Sequence, residues 1–126
     1  MNLSDFELDV MNVVWRLSEC SAPEVHESIA KQKDVTYSTV KTVIDRLEAK
    51  GAIKRVRSEG RTIYIRAAVA PEVVQRSMLE RLVNHVFAGE RRPLFNRLLK
   101  DEELSSKDVD YIQKLLRDRK KELKGG

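Results

Sequence analysis

The chain has 126 residues, enough for one domain or a small domain with an appendage; 41% are hydrophobic but only 6% aromatic, so its core must be built from Leu, Val and Ile. Net charge is +4. No apolar run approaches a membrane span, the N-terminus lacks a basic-then-apolar signal pattern, and the single cysteine, Cys20, excludes an internal disulfide and a Cys-rich metal cluster; the expectation is a cytoplasmic protein with no membrane insertion and no cofactor.

Ser4-Asp5-Phe6-Glu7 reads as a capping box, with Glu7 placed to reach back to the Ser4 amide. The helix it opens puts Leu8, Met11, Val14, Trp15 and Leu17 on a core face. Ser21-Ala22-Pro23-Glu24 is a second capping signal, opening a helix from about Pro23 to Lys31 with Val25 and Ile29 inward. His26 has no ligand-type neighbour and fits a surface or helix-packing histidine, while Cys20 fits a semi-buried residue near a helix end. A third helix follows from Thr36, a capping residue, to Gly51, which tolerates positive φ just past the end. Val40, Val43, Ile44 and Leu47 recur at i, i+3, i+4, i+7 and form its apolar stripe. The opposite ridge carries Ser38, Thr42 and Asp45, flanked by Thr39, Lys41 and Arg46. Short hydroxyls can approach base edges and cations can reach phosphates, which is what a recognition helix in a major groove needs.

After Gly51 the period changes. Ile53, Val56, Ile63 and Ile65 are strand formers, and Ser58-Glu59-Gly60-Arg61 reads as the turn of an antiparallel hairpin. Residues 1–35 hold three basic and seven acidic side chains, whereas residues 36–66 hold eight basic and three acidic, so the cationic excess sits on the third helix and the hairpin. Three helices followed by a basic hairpin is a winged helix-turn-helix arrangement, in which the hairpin closes a small core and can touch phosphates beside the helix. The candidate DNA-binding residues are Tyr37, Ser38, Thr39, Lys41, Thr42, Arg46, Lys50, Arg57 and Arg61.

Ala70-Pro71-Glu72 punctuates the chain, giving a DNA-binding domain at 1–70 and a helical region at 71–126. One helix is expected from Pro71 to Ala88, stopped by Gly89; a short stripe of Leu94, Phe95, Leu98 and Leu99 follows Pro93; Ser105 or Ser106 caps a last helix whose tail, 120–126, frays. Three helices with this much apolar face call for a second copy to cover it, with Leu79, Leu82, Val83, Val86, Leu98, Leu99, Ile112, Leu115 and Leu116 as the candidate dimerisation residues. The fold class is therefore mainly α with a small β-hairpin. No nucleophile elbow, zinc helix, phosphate loop or paired-Cys spacing occurs, so no enzymatic activity is expected. The alternative is a winged-helix module for protein contacts within a larger assembly. Such a helix would expose an aliphatic or aromatic anchor where this one has hydroxyls and Lys41, Tyr37 being the sole aromatic there.

Residues 3–15, 21–25, 38–47, Lys50-Gly51, Gly60-Arg61 and Tyr64 together resemble the BlaI/MecI/CopY penicillinase-repressor family, more weakly through the C-terminal helices to about Leu123. The resemblance implies a dimeric bacterial transcriptional repressor on an inverted-repeat DNA operator. It also implies release by cleavage of an Asn-Phe bond in the dimerisation region, triggered by a membrane-anchored sensor protease. This chain departs at that point, where Asn96-Arg97 is the candidate cleavage site. It also has Ser38 where related recognition helices often have Lys, and it lacks the C-terminal paired-Cys motif of copper-responsive members.

Overall fold

The computed structural model describes residues 1–125, as six helices and one three-stranded antiparallel sheet among those residues. In α1 (Asp5–Leu17) the capping box closes as expected: the Glu7 N–H donates to the Ser4 hydroxyl at 3.2 Å and the Ser4 N–H donates to the Glu7 carboxylate at 2.8 Å. Ser21 and Glu24 repeat the arrangement at the start of α2 (Ala22–Ala30). Val10, Met11, Val13 and Val14 form the buried face of α1. Leu17, expected inward, is exposed, because it lies in the last turn before the chain swings away at Ser18 with φ 65°. Trp15 is half-buried and its Nε1–H donates to the Val69 carbonyl at 2.9 Å.

In α3 (Tyr37–Ala49) the Thr36 hydroxyl accepts from the Thr39 N–H at 3.2 Å. Val40, Val43, Ile44 and Leu47 are all buried; burying such side chains is worth about 1.5–3 kcal/mol each. The helix ends in a Schellman motif: the Ala52 N–H reaches the Leu47 carbonyl at 2.9 Å and the Gly51 N–H reaches that of Glu48 at 3.0 Å, with Gly51 at φ 83°.

The hairpin is β2 (Ile53–Glu59) and β3 (Thr62–Ala67), turning through Gly60 at φ 62°. A strand the sequence reading missed, β1 (Cys20–Ser21), pairs with the far side of β3, so the order is β1-β3-β2. Cys20 is fully buried rather than semi-buried, and burial together with the Glu24 charge pushes its thiol up to about 11. Between Arg55 and Arg57 the ladder carries a bulge: Arg55 pairs with Ile65 and Arg57 with Tyr64, leaving Val56 extra and exposed.

The chain divides into two compact units, Met1–Glu80 and a second beginning at Arg81. α4 (Pro71–His85) contributes Val74 and Met78 to the core of the first unit. It stops three residues short of the expected Ala88, because Ala88 and Gly89 both take positive φ and the Gly89 N–H turns back to the Val83 carbonyl at 2.9 Å. α5 (Arg92–Leu99) starts with Pro93 in its first turn. Before α6 (Ser106–Gly125), Ser105 and Asp108 cap each other, the Asp108 N–H donating to the Ser105 hydroxyl at 3.1 Å. Hydrogen bonds from the Ser105 N–H, and then its hydroxyl, hold the Asp108 carboxyl below its usual range. The tail expected to fray continues as helix to Gly125, its Glu122 paired with Arg119 at 2.9 Å; Gly126 lies outside the described residues.

Candidate nucleic-acid interface

The buried stripe of α3 fixes which of its side chains face outward. Tyr37, Ser38, Thr39, Thr42, Asp45 and Arg46 are all exposed and Lys41 is half-buried, so the expected ridge stands clear of the core. Its hydroxyls are tied to one another. Thr36 Oγ1 lies 3.2 Å from Ser38 Oγ and 2.9 Å from Thr39 Oγ1, and the Thr42 hydroxyl donates to the Ser38 carbonyl at 2.9 Å. Thr42 therefore offers a groove its methyl group and lone pairs, not its proton. Tyr37 is exposed, yet its ring meets His26 edge-on with centroids 6.0 Å apart, while His26 Nε2 lies 2.8 Å from the Val35 carbonyl. The histidine thus packs the loop ahead of α3 and steadies Tyr37, which leaves no free aromatic anchor of the kind a protein-docking helix would show.

The cations fall into two groups. Lys41 donates to Asp45 at 2.6 Å along the helix. Lys50 reaches across to α1, its Nζ 2.9 Å from the Glu7 carboxylate, which is 2% exposed. Burial alone would raise the Glu7 pKa; the Ser4 N–H, Lys50 and the Ser4 hydroxyl together outweigh it and hold the carboxyl below its usual range. Arg57 lies on the Tyr64 ring, its guanidinium carbon 3.8 Å from the centroid, and binds Glu59 at 2.9 Å and Glu19 at 3.1 Å. Arg55, which the sequence reading did not single out, pairs with Glu48 at 2.9 Å and ties β2 to α3. By contrast, Arg46 on α3 and Arg61 at the hairpin tip form no ion pair among the described residues, nor do Lys54 and Arg66. Of the candidate DNA-binding cations, those with no ion-pair partner to give up before meeting a phosphate are thus Arg46 and Arg61. The sequence does not separate Lys50 from them, because its partner Glu7 is distant in sequence; for Arg57 the neighbouring Glu59 is a local signal, and only Glu19 is remote.

Of the candidate dimerisation residues, Leu79, Leu82, Val86, Leu98, Leu99, Leu115 and Leu116 are exposed, Ile112 is half-buried, and Val83, at 4% exposure, is already covered within the chain. α5 and α6 bury no residue at all. Asn96 and Arg97 are exposed and lie within α5, and the Asn96 carbonyl accepts from the Lys100 N–H at 3.1 Å. No helix among the described residues is long and apolar enough to cross a membrane, and no cluster of His, Cys, Asp or Glu among them could hold a metal ion.

The family model of the penicillinase repressors matches residues 3–118. The penicillinase repressor of Staphylococcus aureus is 30% identical over 118 residues, covering 94% of this chain and 93% of that protein. The methicillin resistance regulatory protein MecI of Staphylococcus aureus strain N315 is 27% identical over 114 residues, covering 90% and 92%. Among solved structures, the DNA-binding domain of the repressor BlaI superposes with a TM-score of 0.50 at 32% identity, covering 55% of this chain and 83% of that one.

Proposed function

The chain belongs to the penicillinase repressor family, and from that premise we propose that it is a bacterial transcriptional repressor that grips an inverted-repeat operator as a homodimer. In this reading α3 lies in the major groove and residues 71–126 supply the contact between protomers. The observation that carries the proposal is the outward ridge of α3, with hydroxyls and unpaired Arg46 on one side and a fully buried aliphatic stripe on the other. Supporting the dimer, α5 and α6 leave Leu98, Leu99, Leu115 and Leu116 uncovered, apolar surface that water-exposed monomers rarely keep in such density.

Release by a membrane-anchored sensor protease that cuts at Asn96–Arg97 completes the reading. A protease cleft takes an extended chain, so α5 must open first. That opening is cheap: α5 has eight residues, buries none, and its first residue lacks a side-chain cap. Recovering fragments of sheared host DNA on the protein, and then titrating one while sedimentation measures the complex, tests the proposal. Two protomers per inverted repeat are expected. One protomer per site, or no sequence enriched over input, would end it.

A further inference from the structure

Asp45 is the exposed carboxylate of α3; the other, Glu48, is half-buried against Arg55. Facing a phosphate, Asp45 would be unfavourable. It sits instead in line with Ser38 and Thr42, on the ridge that faces away from the core. Lys41 Nζ donates to Asp45 Oδ1 at 2.6 Å, while Oδ2 takes no hydrogen bond among the described residues. The hydroxyls around the pair are already engaged, Thr42 with the Ser38 carbonyl and Thr36 with Ser38 and Thr39. The strongest uncommitted groups in the middle of the ridge are therefore one acceptor oxygen and the two remaining ammonium protons, side by side.

A donor beside an acceptor suits a base-pair edge that presents the complementary groups. In the major groove cytosine presents its N4 amino donor and the guanine paired with it presents O6 and N7 acceptors. Adenine also sets an amino donor, N6, beside an acceptor, N7, but the side chains that favour that edge are amides, whereas a carboxylate pairs with cytosine N4 and Lys with guanine O6 and N7. We propose that the Lys41–Asp45 ion pair reads a single C·G base pair in each half-site, Asp45 accepting from cytosine N4 and Lys41 donating to guanine. The inference rests on the DNA-binding reading above. Because the two charges cancel, the pair adds discrimination and little general attraction to phosphates.

Selection from a pool of randomised duplexes tests it, using the wild-type chain, Asp45→Ala and Asp45→Asn, each first shown to keep the wild-type circular dichroism spectrum. The wild type should enrich a half-site with one C·G position that depends on Asp45. Asp45→Ala should lose roughly tenfold or more of its preference at that position, keep the others, and bind unselected duplex more tightly. Asp45→Asn should move the preference there towards adenine, which an amide matches at N6 and N7. An Asp45→Ala motif identical to the wild type would overturn the inference and leave the DNA-binding reading standing. A wild-type chain that enriches no motif would overturn both.

Discussion

Replacing Lys50 with Met separates holding the fold from holding DNA. The substitution keeps most of the stem and deletes the ammonium 2.9 Å from the Glu7 carboxylate, which stays buried with Ser4 as its remaining partner. A hydrogen bond to a charged group is worth about 1.5–3 kcal/mol. The Lys50 side chain is 38% exposed, so water screens the pair and the lower end, about 1.5 kcal/mol, applies. For a unit of this size each kcal/mol moves the melting temperature by about 4–8 °C, so the variant should melt roughly 6–12 °C lower at pH 7. The pH dependence has a definite sign. The native Glu7 carboxyl is held below its ordinary value of 4.5, so its stabilisation is full above that pH and is lost as the pH falls through the lower native value. Once Glu7 is protonated in both proteins, the gap between them should close. Melting followed by circular dichroism at fixed protein concentration, at pH 7 and at successively lower pH below 4.5, measures both effects. A variant that melts with the wild type at pH 7, or a gap that persists unchanged in acid, would refute the assignment of Lys50 to Glu7.

Gly51→Ala should destabilise by about 1 kcal/mol, read as a shift in the denaturation midpoint; nothing lies within 4 Å of the added methyl, so the cost is the positive φ alone. Arg46→Met and Arg61→Met should each lower the salt dependence of duplex affinity by about one counterion and weaken binding to all sequences alike, whereas Lys50→Met should leave the salt slope nearly unchanged. Titrations at several salt concentrations decide this, and equal slopes for all three variants would contradict the division between paired and unpaired cations. A chain ending at Asn96 lacks α6 with Leu115 and Leu116, and should sediment as a monomer that binds a single half-site weakly. A truncated chain that remains a tight dimer would remove the basis for release by proteolysis.

What could be read from the sequence was local. Both capping boxes, the α3 stripe and the glycine stop at Gly51 each fall within a few residues, where spacing alone determines which groups meet. The outward ridge followed from the same period. What escaped depends on partners far along the chain. β1 is two residues with no alternation to detect, and exists only because β3, more than forty residues on, lies beside it. Lys50 and Arg57 look like groove cations until Glu7 and Glu19 arrive from α1 and the turn after it. The short stripe around Asn96–Arg97 was legible as a helix, and Pro93 in its first turn is enough to start α5 there.

The extra residue at Val56 has a consequence for the wing. Side chains alternate faces along a strand, so one added residue inverts the assignment of everything beyond it. Arg57 shares a face with Tyr64 only because β2 advances two positions while β3 advances one. In an unbroken ladder Val56 would stand opposite Tyr64, and Arg57 would turn to the side of Ile63, towards the core. Strand length rather than residue type thus decides whether the guanidinium of the wing meets an aromatic ring and two carboxylates or is driven against aliphatic packing.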